Sequence, residues 1–342
     1  MSERSQLMAT EFRQAPDVVR RQAQALAAPV AELAARLKRR PPDVVVTCAR
    51  GSSAHAATFG KHLFERHLGI PCAPAAPNIA SVYHKEMRLK DQLFLSISQS
   101  GRSDDLVESA RMAKKAGAVT AAIVNDTDSP LAAASDIVLP IGAGAEQSVA
   151  ATKTFVASLA ALLRLTAVWS GDAAFVPALG SLPDRLTAAS KLDWTEALAA
   201  LSRATSLITL GRGPTLAIAR EAALKFKETC NLPTEPFSGA EFMHGPVSLV
   251  DTHYPVLIFM PTDAAAKGLA ELAADLRDKG ASVFVSGTVR ADNVLSALPA
   301  EHPDADAICL IQSLYGLLVR LAERRGTDVD QPRHLRKVTR TR

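Results

Sequence analysis

The chain has 342 residues, of which 48% are hydrophobic and 5% aromatic. This length suits two domains with separate apolar cores, and the hydrophobic fraction excludes a disordered protein. The net charge of +4 is too small to indicate nucleic-acid binding. No segment approaches the roughly 20 apolar residues of a membrane span. We therefore expect a globular protein with no nucleic-acid partner and no membrane insertion.

The four cysteines, Cys48, Cys72, Cys230 and Cys309, are far apart in the sequence and form no Cys-x-x-Cys pair. This spacing predicts neither a zinc site nor a disulfide framework, so we expect buried thiols. The polar N-terminus lacks the apolar segment of a signal peptide, which favours a cytoplasmic location. We expect no metal and no redox cofactor.

Strands and helices alternate in the first half of the chain. A helical pattern runs from Ser5 to Arg40, with Pro16 starting a new segment, and predicts an N-terminal helical segment over 1–40. Short buried strands are predicted at 43–48, 92–97, 118–124 and 136–140, with helices between them and a long apolar helix at 151–169. This alternation predicts a domain over 41–170 with a parallel sheet covered by helices on both faces.

The second half repeats the first. The pair Arg212-Gly213 matches Arg50-Gly51, and Gly280 matches Gly117 at the same offset to within one residue. We predict a second domain of similar topology over 193–325, a linker over 171–192 and a C-terminal segment over 326–342. The predicted fold class is therefore α/β, with two doubly wound domains related by internal duplication.

Small polar side chains follow two predicted strands of the first domain. Backbone N–H groups and the positive end of a helix dipole attract anions at such turns, and hydroxyls add donors. Both turns lie at the carboxyl ends of strands, where open α/β sheets bind ligands. The alternative is ordinary helix N-capping by serine. The candidate phosphate-binding residues are Ser52, Ser53, Ser98, Gln99, Ser100 and Ser103.

Neither a P-loop nor a dinucleotide-binding Gly-x-Gly-x-x-Gly follows a strand, which favours a sugar phosphate over a nucleotide as the ligand. The corresponding turns of the second domain contain Pro214, Thr215, Pro261 and Thr262 instead of serines. We expect that one copy keeps the ligand pocket and that the other is structural.

Ionisable residues recur at helical spacing between Glu221 and Glu228. A helix there places Glu221, Lys225 and Glu228 on one stripe, and Asn231 and Pro233 end it. His244 follows in a loop. Carboxylate, amine and imidazole together supply general acids and bases. The alternative is a solvated, salt-bridged helix with an unrelated histidine.

The C-terminal segment carries several basic residues. Lys337 could serve as a Schiff-base amine or a charge partner in a site. The alternative for this composition is a solvated tail.

Five motifs together resemble the paired sugar isomerase (SIS) domains of glucosamine-6-phosphate synthase, and the resemblance covers nearly the whole chain. They are Ser98-Gln-Ser-Gly101, Val149-Ala-Ala-Thr-Lys153, Glu221-Ala-Ala-Leu-Lys-Phe-Lys-Glu228, Glu241-Phe-Met-His-Gly-Pro246 and Gly326-Thr-Asp-Val-Asp-Gln-Pro-Arg333.

By this resemblance, the six serine and glutamine positions hold a phosphosugar, and Ala151 takes the place of a binding serine. Glu228 moves a proton between C1 and C2 with support from Lys225, His244 opens the sugar ring, and Lys337 is the C-terminal active-site lysine. The resemblance also implies a homodimer in which the His244 loop reaches the site of the neighbouring subunit.

The sequence departs from the synthase in ways that change the expected reaction. It has Ser2 and no glutaminase domain, and Arg50 and Arg102 replace cysteine and glutamate. The turns Ala49-Arg-Gly-Ser-Ser53 and Ser98-Gln-Ser-Gly-Arg-Ser103 are similar to those of stand-alone SIS aminosugar-phosphate deaminases. This resemblance implies deamination and isomerisation of glucosamine 6-phosphate to fructose 6-phosphate and ammonia.

Several alternatives remain open at this point. They are a galactosamine-6-phosphate deaminase, a fructosamine-phosphate deglycase, a synthase-like isomerase without glutaminase activity, and a nonenzymatic sugar-phosphate sensor.

Overall fold

A computed structural model describes residues 6–287 and 293–337. Ser5, the predicted start of the first helix, lies outside the described residues, as do the last five residues of the predicted C-terminal segment. The chain forms two compact units, which we call the first-sheet and second-sheet units. The first-sheet unit contains Asp17–Glu146, Lys153–Leu179 and the tail residues Arg336 and Lys337, and the second-sheet unit contains residues 6–16, Gln147–Thr152 and Gly180–Leu335.

Three strands of the first-sheet unit, Val45–Ala49, Leu93–Ser98 and Val119–Val124, are almost entirely buried, as expected for the centre of a parallel sheet covered on both faces. Its elements are α1 (Gln6–Arg39, which begins in the other unit), β1 (Val45–Ala49), α2 (Gly51–Leu68), β2 (Cys72–Pro74), α3 (Asn78–Ser81), β3 (Leu93–Ser98), α4 (Asp104–Lys115), β4 (Val119–Val124), α5 (Pro130–Ala134), β5 (Ile137–Pro140) and α6 (Lys153–Ser170). The strand order is β2-β1-β3-β4-β5, and all pairs are parallel.

The second-sheet unit repeats this plan. Its elements are α7 (Phe175–Ala189, which begins in the other unit), a 3-10 turn (Thr195–Ala197), α8 (Leu198–Arg203), β6 (Leu207–Gly211), α9 (Pro214–Cys230), β7 (Thr234–Ser238), α10 (Gly239–Phe242), a 3-10 turn (Pro246–Leu249), β8 (Pro255–Phe259), α11 (Ala266–Asp278), β9 (Ser282–Ser286), β10 (Val294–Leu295) and α12 (Pro303–Arg325). The strand order is β10-β9-β8-β6-β7, again all parallel.

Reversing this second order gives β7-β6-β8-β9-β10, which is the order of the first sheet. The predicted fold class, α/β with two duplicated parallel-sheet domains, is therefore confirmed. The sequence pattern missed β2, β7 and β10. Two of them are only three and two residues long, which is too short for a periodicity to appear, and β7 contains Pro236.

Pro16 and Pro183 lie inside helices of the structure. The predicted break at Pro16 is wrong, because α1 continues through it. Likewise α7, which contains Pro183, occupies most of the segment predicted as a linker over 171–192. A proline inside a helix costs about 3 kcal/mol. Burial of flanking apolar residues, such as Ala15 and Val18 around Pro16 and Leu182 and Leu186 around Pro183, offsets this cost.

The four cysteines are buried thiols, as predicted. Burial raises the pKa of Cys48, Cys230 and Cys309 to about 12 and that of Cys72 to about 11. They are therefore protonated at neutral pH and have no nucleophilic role.

Helix α12 is the one described helix that is long and apolar enough to cross a membrane, but 89% of its apolar window is buried inside the structure. It packs against α9 as a core helix of the second-sheet unit.

Candidate active site

The polar turns of the first-sheet unit lie side by side. Strands β1 and β3 are direct neighbours in the sheet, and Ala49 pairs with Ile97 at their carboxyl ends. Ser52 and Ser53 follow the first of these strands, and Ser98 to Ser103 follow the second. The structure therefore brings all six candidate phosphate-binding residues to one edge of one sheet. We call them the serine cradle.

The hydroxyls of the cradle do not cap the helices that follow. The N-terminal flanking residues of α2 and α4 are Arg50 and Ser103, and neither makes a side-chain capping hydrogen bond within the described chain. The N-capping alternative is therefore wrong for these two helices. Two helix N-termini are left with backbone donors at the cradle, which is the arrangement that attracts an anion.

The turn after β3 is stabilised by hydrogen bonds between its own residues. Gly101 N–H donates to Ser98 Oγ at 3.1 Å, and Arg102 N–H donates to Ser100 Oγ at 3.3 Å. Gly101 has φ of +63°, and a Cβ on it would lie 2.1 Å from Ser129 Oγ. Only glycine fits this close approach, so the shape of the cradle depends on it.

Replacement of Gly101 by alanine should weaken phosphosugar binding by at least about tenfold, since the turn must move away from Ser129. Isothermal titration with a phosphosugar measures this effect. The matched control is Gly142→Ala, because Gly142 also has positive φ (+69°) but has no atom within 4 Å of the added Cβ. Equal binding by the two variants would contradict the role given to the close contact.

Arginines flank the cradle on both turns. Arg50 donates from Nε and Nη2 to Asp105 Oδ2, at 3.0 and 2.6 Å, and the Asp105 side chain is only 1% exposed. Arg102 pairs with Asp126 at 2.8 Å. Both departures from the synthase pattern are thus ion-paired side chains, and a neighbouring aspartate balances the charge of each arginine beside the cradle.

The corresponding turns of the second-sheet unit are closed by their own side chains. Thr215 Oγ1 accepts from Arg212 N–H and donates to Arg212 C=O, both at 3.0 Å. Thr262 Oγ1 donates to Asp306 Oδ2 at 2.6 Å, and Asp306 Oδ1 accepts from Arg185 at 2.6 Å. In this copy the Asp306 carboxylate already contacts Thr262 in the turn after β8. The turns of the second-sheet unit therefore do not offer an anion cradle comparable to that of the first.

The predicted acidic and basic stripe is present on α9. Lys225 Nζ lies 3.5 Å from Glu221 Oε1 and 2.5 Å from Glu228 Oε2. The side chains of Glu221 and Lys225 are 0% and 1% exposed, whereas that of Glu228 is 21% exposed. The solvated-helix alternative is therefore wrong. Of these three groups, Glu228 is the one that a ligand can contact, and a buried ammonium holds its carboxylate in place.

Helix α9 ends as its sequence predicts. Asn231 adopts the left-handed conformation with φ of +47°, and Pro233 follows. This places Glu228 in the last turn of α9, and β7 and α10 separate it from His244 along the chain. His244 is exposed, and its imidazole makes no hydrogen bond to another described residue. Lys225, Glu228, His244 and Ala151 all belong to the second-sheet unit, whereas the cradle and Lys337 belong to the first-sheet unit.

Lys337 is held by a carboxylate that the sequence analysis missed. Its Nζ lies 2.8 Å from Glu146 Oε2, and the Glu146 side chain is 0% exposed. The solvated-tail alternative is therefore wrong for Lys337, whose side chain is 26% exposed. The position of Glu146 shortly before a predicted helix was the only signal in the sequence, since acidic residues favour helix N-termini.

The comparisons with known proteins agree with this architecture. The SIS domain family matches residues 40–167 and 200–306. The chain belongs to the SIS domain family. It is 33% identical over 314 residues to a glutamine–fructose-6-phosphate aminotransferase of Shewanella oneidensis, a match that covers 86% of the chain but 50% of that relative. This SIS protein thus spans about half the length of the curated relative that it matches.

Two solved structures resemble this SIS protein. One, from Silicibacter pomeroyi DSS-3, carries a provisional phosphosugar isomerase designation; it is 46% identical, with a TM-score of 0.90 and coverage of 94% of this chain and 99% of the other. The second is the C-terminal domain of a glucosamine-fructose-6-phosphate aminotransferase from Francisella tularensis, with 29% identity, a TM-score of 0.84 and coverage of 95% and 98%. The SIS protein therefore shares its family and its fold with these two proteins.

Proposed function

We propose that this SIS protein is an aminosugar-6-phosphate deaminase and isomerase that converts glucosamine 6-phosphate and water to fructose 6-phosphate and ammonia. The observation that carries the proposal is the Glu228 carboxylate, which is partly exposed and held at 2.5 Å by the buried Lys225. A carboxylate fixed in this way suits the removal and return of a proton on adjacent carbons. The uncapped cradle supports a phosphate group as the anchor of the substrate.

The reaction divides into steps that these residues can serve. His244 moves a proton between the ring oxygen and the C1 hydroxyl, which opens the ring to the C1 aldehyde. Glu228 then takes the proton from C2 and returns it at C1, while one proton of the substrate's ammonium group passes to the C1 oxygen. The C1 aldehyde thus becomes an alcohol, and C2 becomes an iminium carbon. Water adds to C2, and ammonia leaves with the electrons of the broken C2–N bond. The cradle residues hold the phosphate throughout, and Lys337 supplies a positive charge near the sugar.

The proposal includes a homodimer in the cytoplasm, in which the His244 loop serves the neighbouring subunit. Met243 and Leu249 support a subunit contact, since their side chains are 47% and 52% exposed on either side of the histidine. Light scattering should give the mass of a dimer. A monomer with full activity would contradict the shared loop.

Ammonia release by the pure protein without glutamine tests the activity. We expect equimolar ammonia and fructose 6-phosphate from glucosamine 6-phosphate, and a lower rate from galactosamine 6-phosphate. A higher rate from the galacto sugar, or from a fructosamine phosphate, would identify one of the alternative substrates. Isomerisation without ammonia would identify a synthase-like isomerase, and binding without any turnover would identify a sensor.

A further inference from the structure

Glu146 has no role in the steps above, yet it is among the most deeply buried carboxylates of the first-sheet unit. Its Oε1 accepts from Thr154 N–H at 3.0 Å, and its Oε2 accepts from Thr154 Oγ1 at 2.7 Å and from Lys337 Nζ at 2.8 Å. The carboxylate therefore joins the first turn of α6 to the C-terminal tail. The two ends of the ion pair are 191 residues apart in the sequence.

The Thr154 side of this arrangement is rigid. Thr154 lies at the start of an 18-residue helix and is 2% exposed, and Glu146 meets both its backbone N–H and its hydroxyl. A carboxylate at this place is also stabilised by the helix dipole. Lys153 reinforces the same turn, since its Nζ donates to the carbonyl of Ala145 at 2.6 Å. The position of the Glu146 carboxylate is thus fixed before any contact with the tail.

The Lys337 side has no regular structure of its own. The described residues after α12, Gly326 to Lys337, form turns and bends rather than a helix or strand. A lysine side chain has many rotamers, and ordering it has an entropic cost. A buried carboxylate offsets this cost, because a strong charge-assisted hydrogen bond selects one position of the ammonium.

We infer that Glu146 is a positioning residue for Lys337: anchored on α6, it fixes the ammonium of the C-terminal tail at the place where the bound sugar phosphate needs it. This inference rests on the proposed function only for the role of Lys337 in turnover. Glu146 itself does not contact the substrate. Its effect on the reaction passes through the lysine.

A double-mutant cycle separates positioning from a general structural role. Glu146→Gln should lower kcat by about 10- to 100-fold, because a misplaced catalytic group loses most of its effect, while KM changes by less than about threefold. The glutamine oxygen can still accept from Thr154 N–H, and its amide nitrogen can donate to the Thr154 hydroxyl oxygen, so the fold is expected to persist. In a Lys337→Gln background, Glu146→Gln should change kcat by less than about twofold. If Glu146→Gln lowers kcat by the same factor in both backgrounds, the two substitutions act independently and the inference is overturned.

A second measurement does not depend on turnover. Acetylation of the native protein, followed by mass spectrometry, compares Lys337 with Lys191, an exposed lysine of the other unit. Glu146→Gln should raise the relative rate at Lys337 by at least about threefold, since the ion pair no longer holds the amine. Glu108→Gln, which changes an exposed carboxylate of the first-sheet unit, should leave the ratio unchanged.

The two experiments distinguish failure of the inference from failure of the proposed function. An unchanged acetylation ratio in Glu146→Gln would overturn the positioning role even if the protein releases ammonia. A raised ratio in a protein that releases no ammonia would support positioning of Lys337 and overturn only the proposed reaction.

Discussion

Replacement of Glu228 by glutamine should lower kcat for ammonia release by about 10²- to 10⁴-fold, because general acid–base groups of this kind contribute that much. Binding of the sugar phosphate should persist, since the serine cradle belongs to the other unit and is unchanged. The fold should persist as well, because Lys225 keeps Glu221 as a carboxylate neighbour at 3.5 Å. Steady-state kinetics give kcat, and isothermal titration gives the affinity.

The matched control for this variant is Glu235→Gln. Glu235 is an exposed carboxylate on β7, in the same unit and seven positions further along the chain, and its loss should leave kcat unchanged. Wild-type turnover by Glu228→Gln would mean that another group moves the proton. Loss of both binding and turnover would indicate that Glu228 serves substrate binding instead.

Replacement of Lys225 by methionine should destabilise the protein by about 3–5 kcal/mol, which is the usual effect of removing one partner of a buried ion pair. The Glu221 side chain is 0% exposed, so its carboxylate would remain buried beside that of Glu228 without the ammonium between them. Turnover should fall as well, because Glu228 loses the group that holds it. Urea unfolding measures the change in the free energy of unfolding.

Lys227→Met provides the control for stability. Lys227 is exposed on the same helix, two residues away, and its replacement should change the free energy of unfolding by less than about 0.5 kcal/mol. Adding Glu221→Gln to Lys225→Met should recover part of the lost stability, since one buried charge is then removed. A loss below about 1 kcal/mol for Lys225→Met alone would contradict the buried ion-pair interpretation.

The duplication explains how one unit could specialise. Both copies keep the same strand order, but the turns after β6 and β8 contain Pro214, Thr215, Pro261 and Thr262, whereas those after β1 and β3 contain the serines of the cradle. In the second, Thr262 contacts Asp306, which also pairs with Arg185. The Asp306 carboxylate thus contacts the turn in the second copy at the position that corresponds to the proposed ligand anion in the first copy. The second copy instead contributes α9, whose Glu221–Lys225 pair is buried, whereas the Lys61–Glu65 pair of the first-copy helix α2 is exposed.

The sequence predicted those features that depend on neighbours along the chain. The α/β class, the duplication and most strands followed from periodicity, because alternating patterns specify which faces are buried. The stripe of Glu221, Lys225 and Glu228 followed from helical spacing alone. The predicted break at Pro16 was wrong, because the helix-breaking preference of proline was weighed without the burial of the apolar residues on either side.

The amino-acid sequence by itself determined the polar strand ends and the ionisable stripe, since each is set by residues within a few positions of one another. It also determined the repeat, since the same local patterns recur in the same order. Only the tertiary structure decided which charges are buried and which distant groups meet. Asp105 binds Arg50 across 55 residues, and Glu146 binds Lys337 across 191. Such partners are chosen by how the chain packs, because a charge that leaves water must find its counterion wherever the fold places one.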